Sequence, residues 1–233
     1  MEFNFISTSK LLLNFYWEND LNYCRKKNII NATMKTELKT LILKKIKQTN
    51  IKAFSCYDFT EFASYKTISK SLQRMEENGE IKRILNGVYC LNRFDDVLKL
   101  PLLPTINEVV ECIARKHKWT ICPAGNLALN ILGLSTQVPA NYLYLSNGPY
   151  KEYFIYGTKV SLKRTMNREI SDYSYKTLLL IQSIKALGED KINDQTLNKF
   201  KLALSSLDKQ RALKETTTSQ AWIRNVIVQI CKE

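Results

Sequence analysis

Residues Phe54 to Leu91, FSCYDFTEFASYKTISKSLQRMEENGEIKRILNGVYCL, constrain the fold more than any other stretch of the 233-residue chain. Ser55 with Asp58 three residues on fits a capping box, which predicts a short helix from about Cys56 to Ala63. Ser64-Tyr65 breaks it. A second helix is expected from Lys66 to Asn78, where Ile68, Leu72 and Met75 recur at i, i+4 and i+7 and so share one inward face. Gly79 supplies the left-handed residue that stops it. Ile81 to Ile84 then read as a strand, Asn86-Gly87 as a hairpin tip, and Val88, Tyr89 and Leu91 as the returning strand. Upstream, Leu38, Leu41, Ile42 and Ile46 form a helical stripe over Lys35 to Gln48, and Ile51 to Phe54 is a short extended link. Three helices followed by a hairpin, in this order, predict a winged helix-turn-helix.

The face of the second helix opposite its apolar stripe carries Lys66, Ser69, Lys70, Gln73 and Arg74, with Thr67 beside them. Long donors on an exposed helix reach phosphates and base edges in a major groove, and Lys82, Arg83 and Asn86 would stand at the wing beside the duplex backbone. Charge agrees with this placement. The formal net charge is +13, and residues 34–93 hold 12 basic against 6 acidic side chains, twice the excess of residues 94–165 or 166–233. Neutralised phosphates release counterions, so such an excess favours a polyanionic partner, although a lysine-rich solvated surface has the same composition.

The remainder predicts an α+β chain with a second, mixed domain. Arg93 to Pro104, with Pro101 and Pro104, cannot continue a helix and reads as the connection. Beyond it the pattern predicts a helix over Ile106 to Lys118, a strand over Trp119 to Cys122, and a helix over Ala124 to Leu132 with Pro123 in its first turn and Gly133 at its end. Tyr142 to Leu145, Tyr153 to Tyr156 and Lys159 to Lys163 are expected to form a small antiparallel meander. A bundle closes the chain, with helices over Tyr175 to Leu187, Asp194 to Leu204, Leu207 to Thr216 and Gln220 to Cys231. The predicted division is thus 34–93 for the winged helix and 94–233 for the second domain. Residues 1–33 lack a clear period and end just before Met34; they are either an N-terminal arm or sequence upstream of a start at Met34.

Catalytic constellations are scarce, and an enzyme is disfavoured. His117 lies between Lys116 and Lys118 with no carboxylate to orient it, and the chain has no Walker loop, no G-x-S-x-G elbow and no closely spaced Asp pair after Gly-Ser. The six cysteines form no C-x-x-C pair, which argues against a metal site, and no cofactor motif occurs. Apolar surroundings suit reduced thiols in the cytosol. No apolar run is long enough to span a membrane. Asn126, Ser135, Thr136 and Gln137 either read a ligand or cap their own backbone. Lys159, Lys163 and Arg164 lie along one strand, and Lys159 and Lys163 share a face: a second basic surface, or the solvated side of a sheet.

The predicted winged helix, followed by CPAGNLALNILGLSTQVPANYLYLSNGPYKEYFIYGTKVSLKR and the late AWIRNVIVQI, resembles the AbiEi-type antitoxins of type IV toxin-antitoxin systems. The similarity runs from about Met34 to Ile230, and Leu132 to Pro139, LGLSTQVP, is its most specific part. The resemblance implies a bacterial protein of phage defence, encoded beside a nucleotidyltransferase-like toxin. Its N-terminal domain would repress the shared promoter by binding duplex DNA at an inverted repeat. Its C-terminal domain would give antitoxicity, usually without a stable complex with the toxin. Two other readings of the residues stay open: a ligand-responsive winged-helix regulator with no toxin, and an RNA-binding protein that shields the toxin's substrate.

Overall fold

The computed structural model describes residues 37–95, 97, 99–166, 170 and 172–232. The arm at 1–33 and the choice between Met1 and Met34 lie outside them. The chain divides into two compact units: the described residues to Arg83 with Tyr89–Leu103, and Ile84–Val88 with Pro104 onward. Both are mixtures of helices and strands.

In the first unit, residues 37–49 are helical (α1), followed by the two-residue strand β1 (Ala53–Phe54) and a 3-10 turn at Cys56–Phe59. The capping box forms: Ser55 N donates to Asp58 Oδ2 at 2.7 Å and Ser55 Oγ to the same oxygen at 3.1 Å. The expected helix to Ala63 does not. Only one 3-10 turn follows the cap, because Phe54 and Phe59 must both enter the core, where their rings meet edge-on at 5.7 Å. Helix α2 (Tyr65–Glu77) starts at Ser64, whose hydroxyl accepts from Thr67 N at 3.4 Å. It ends at Gly79, which takes the left-handed conformation at φ +72°. Strands β2 (Ile81–Leu85) and β3 (Val88–Leu91) complete a sheet of order β1-β3-β2, with β1 antiparallel to β3. Ile42, Ile46, Phe54, Phe59, Ile68 and Leu72 form the buried centre.

The second unit places a four-stranded sheet between helices. Helix α3 (Ile106–His117) opens with a Thr105/Glu108 capping box and ends at Lys118 in the left-handed region. Strand β4 (Ile121–Ala124) follows, and here the structure corrects the sequence reading: Pro123 lies in the strand, not in the next helix. β4 is an edge strand, where a residue without an N–H is tolerated, and helix α4 (Asn126–Ile131) begins after Gly125 instead.

A second correction concerns the expected antiparallel meander. Strands β5 (Asn141–Ser146), β6 (Lys151–Ile155) and β7 (Thr158–Arg164) stand in the order β4-β5-β7-β6, so β7 separates β5 from β6 and runs parallel to β5. The sheet is mixed. Burial explains the order: Val160 and Leu162 of β7 are fully buried and need neighbours on both sides, whereas β6 exposes Phe154 and takes the edge. The β5–β6 connection turns at Gly148, where any Cβ would come within 2.5 Å of the Trp119 ring.

Residues level with one another across the strands share a face. Tyr144, Val160 and Leu162 are buried on one side, and the Tyr144 hydroxyl hydrogen-bonds Asn107 of α3. On the other side Cys122, Leu145 and Lys163 stand in one row, and helix α5 (Tyr175–Leu187) covers its β4 and β5 portion through Leu178. Helices α6 (Asp194–Ala203), α7 (Ser206–Glu215) and α8 (Ala221–Cys231) close the bundle around Leu179, Leu180, Ile184, Phe200, Ile227 and Ile230. No helix among the described residues is long and apolar enough to cross a membrane.

Candidate nucleic-acid interface

Helix α2 positions the candidate residues of the first unit. Ile68, Leu72 and Met75 bury one face, so the 100° step turns Lys66, Thr67, Lys70, Gln73 and Arg74 outward, and all five are exposed. Ser69 sits half-buried on the flank. Thr67 is tied into the helix start, its hydroxyl 2.9 Å from Ser64 Oγ. Gln73 Nε2 donates to Glu77 Oε1 at 3.1 Å, an exposed pairing that either side chain can leave at little cost.

The charges of this unit separate into two groups. Lys39 pairs with Glu80 at 2.7 Å, Lys45 with Glu61 at 3.0 Å, and Arg83 with Glu76 at 2.7 Å. These three acids are neutralised locally. Among the described residues, Lys66, Lys70, Arg74 and Lys82 make no ion pair, which leaves α2 and the start of the hairpin with uncompensated positive charge.

Arg83, expected beside a phosphate, already has partners within the unit. Both Nε and Nη2 donate to Glu76 Oε2, at 3.2 and 2.7 Å, and the guanidinium lies 5.4 Å from the Tyr89 ring centroid. The hydrogen bonds to Glu76 raise its already high pKa. Arg83 therefore braces the hairpin against α2, while Lys82 points to solvent. Asn86 is exposed and belongs to the second unit, where its carbonyl accepts from Lys116 Nζ at 3.0 Å.

Sequence reasoning missed one feature of this face. Tyr57 and Tyr65 are each about half exposed, 50% and 49%, with ring centroids 5.2 Å apart at the N-terminal end of α2. The neighbouring Cys56, with burial second, raises the Tyr65 pKa, so its hydroxyl remains a donor at neutral pH. Two tyrosines flanking a predicted helix start were the available signal.

The second basic surface forms in part. Lys159 and Lys163 do share one face of β7 with Ser161 between them. Lys159 is engaged, however, 2.7 Å from Glu152 across the strand pair, and this hydrogen bond raises its pKa and lowers that of Glu152. Lys163 and Arg164 are exposed at the strand end, and there they line a groove of about 600 Å³ with Lys185 of α5, which the sequence did not single out.

Of the other polar residues weighed in the sequence, Ser135 holds backbone, and Asn130, not singled out there, does so beside it. Asn130 Nδ2 donates to the carbonyls of Ser135 and Gln137, at 3.2 and 3.1 Å, and Ser135 Oγ accepts from Gln137 N at 3.2 Å. The LGLSTQVP run is thereby fixed by Asn130 just ahead of it and by its own Ser135. His117 stacks on Trp119 at 4.4 Å, and burial, then Lys116 and Lys151, lower its pKa. No group of three or more His, Cys, Asp or Glu side chains is placed to hold a metal ion among the described residues.

These features define a two-unit α+β protein with a basic helical face in one unit and basic side chains at the end of an inner strand in the other. Residues 41–212 match a family of unknown function, DUF6088, and the chain belongs to it. No curated protein matches the sequence.

Proposed function

We propose that the protein is a cytoplasmic antitoxin of a type IV toxin-antitoxin system that also represses its own operon. In this reading the first unit is a winged helix-turn-helix whose helix α2 enters the major groove of promoter DNA at an inverted repeat. Lys82 contacts phosphate, and the second unit counters a nucleotidyltransferase-like toxin without a stable complex. The protein acts by binding, not catalysis. The observation that carries the DNA-binding part is the unpaired charge of Lys66, Lys70 and Arg74 on the exposed side of a helix whose other side is fully buried. Cations held without local partners remain available to phosphates and guanine edges. The antitoxin part is supported by the sequence resemblance from Met34 to Ile230.

A gel-shift titration with the operon's own promoter tests the first part. The Lys66→Ala/Lys70→Ala/Arg74→Ala variant, verified as folded by circular dichroism, should lose the shift that the parent gives. A retained shift of equal affinity removes α2 as the reading helix. For the second part, co-expression with the product of the adjacent reading frame should restore growth that this product alone suppresses. Failure to rescue refutes the antitoxin role and leaves the repressor role standing.

A further inference from the structure

Helix α5 covers only the β4 and β5 portion of its sheet face, and what lies beside it has the chemistry of a strand-binding platform. On the uncovered β7 and β6 portion, Phe154 is 67% exposed, an unusual position for a phenylalanine, and it stands directly opposite Lys159. Ser161 and Lys163 continue this face along β7, four residues carrying it about 13 Å, and Glu152, opposite Ser161, is neutralised there by its ion pair with Lys159 at 2.7 Å. At its far end the groove of about 600 Å³ opens between the end of β7 and the helices. That volume is in the range of small-molecule sites.

The groove has two kinds of wall. Its floor is apolar and buried, from Leu178, Ile181 and Ile223, with Gln182 almost fully buried among them as a donor and acceptor. Its rim carries the exposed cations Lys163, Arg164 and Lys185, against one acid, Asp172, which is itself already engaged. An apolar floor with an amide group and a cationic rim suits a flat heterocycle bearing a phosphate. Phe154 offers a second stacking surface further along the same face.

We infer that this face of the second unit binds single-stranded nucleic acid, with one nucleotide in the groove, its phosphate against Lys163, Arg164 and Lys185, and a base further along the strand stacked on Phe154. Aromatic rings interleaved with cations bind unpaired strands because every base offers a ring face, while a duplex keeps its bases stacked inside. The inference is independent of the promoter reading, which uses α2.

The test uses the full chain carrying the α2 triple alanine substitution, so that any binding through that helix is removed from the readout. Fluorescein-labelled single-stranded RNA and DNA of the same mixed sequence, and the matching duplex, are titrated by anisotropy over a range of salt concentrations. Saturable binding of one or both single strands, tighter than that of the duplex, is expected, and the RNA and DNA arms name the sugar preferred. Phe154→Ala should weaken it about tenfold. Lys163→Ala/Lys185→Ala should reduce the salt slope by about 0.7, one phosphate's worth for a single strand. Replacing two exposed lysines outside the groove lining, Lys191 and Lys199, should leave the slope unchanged. All these side chains are exposed, so the variants keep the buried core intact. The inference is overturned by absence of binding, by equal affinity for the duplex, or by indifference to Phe154. It is likewise overturned if Lys191 and Lys199 matter as much as Lys163 and Lys185, which would reduce the effect to the net charge of the chain.

Discussion

On the proposed reading of promoter DNA by α2, its outward residues differ in role, and their replacement separates specificity from attraction. Gln73 and Arg74 have the geometry for paired hydrogen bonds to base edges, each worth about 1–3 kcal/mol of discrimination. Gln73→Ala or Arg74→Ala should therefore narrow the gap between promoter and scrambled duplex in a competition gel shift. Lys82 is a point charge on a strand, so Lys82→Ala should weaken both duplexes alike and lower the salt slope by about one. Arg83 should act through the fold. Its two bonds to Glu76 and its place over Tyr89 tie the hairpin to the helix, so Arg83→Ala should lower the urea midpoint, which the Lys82 change should leave in place. Sequence pattern located all four residues but could not distinguish these roles, because the Glu76 to Arg83 pairing depends on where the hairpin folds back after Gly79.

At the scale of elements, local chemistry was readable and strand order was not. The Ser55/Asp58 box and the Gly79 stop are set by neighbours within one turn, the shared face of Ile68, Leu72 and Met75 by the helical period over two, and all three occur. The position of β7 between β5 and β6 depends on which strand buries Val160 and Leu162, a matter of three-dimensional competition that periodicity does not encode. Pro123 was assigned to a helix start because that preference is strong; an edge strand satisfies the same missing donor. The groove escaped notice because Lys163 and Lys185 meet only through the packing of α5 on the sheet. The Thr105/Glu108 box at α3 also went unread, although its spacing is plain. Glu108 Oε2 accepts from Thr105 N at 2.7 Å and Thr105 Oγ1 accepts from Glu108 N at 3.3 Å. Thr105→Ala should cost about 1 kcal/mol in urea unfolding, and Thr105→Ser close to nothing.

At the scale of the whole molecule, each unit has its own core and its own sensitivity. Glu215 links α7 to the start of α5: its Oε2 accepts from Ser174 N and from Ser174 Oγ, both at 2.9 Å. Burial alone would raise its pKa, but hydrogen bonds from Thr177 and Ser174 outweigh it and the pKa is lowered from 4.5. A carboxylate held below its unfolded value contributes stability above that value, and the contribution disappears as pH falls through the folded value. The Glu215→Gln change should therefore cost up to about 1 kcal/mol at neutral pH, because the group is partly exposed, and the difference from the parent should close at acid pH, once the pH has fallen through the lowered folded value. Urea midpoints at the two pH values measure it. Cys122, by contrast, is removed from such chemistry, since burial pushes its thiol up to about 12 and keeps it inert to alkylation in the native state.

The parallel pairing of β7 with β5 also dictates a sequence of events. Strands β6 and β7 are joined by the tight turn at Tyr156-Gly157 and find each other locally, whereas β7 meets β5 only across the intervening β6. The two-stranded ribbon can therefore assemble early and swing as a preformed piece onto the waiting β4-β5 pair, with the longer-range seam closing last. A newly made chain would carry Val160 and Leu162 uncovered until that seam closes.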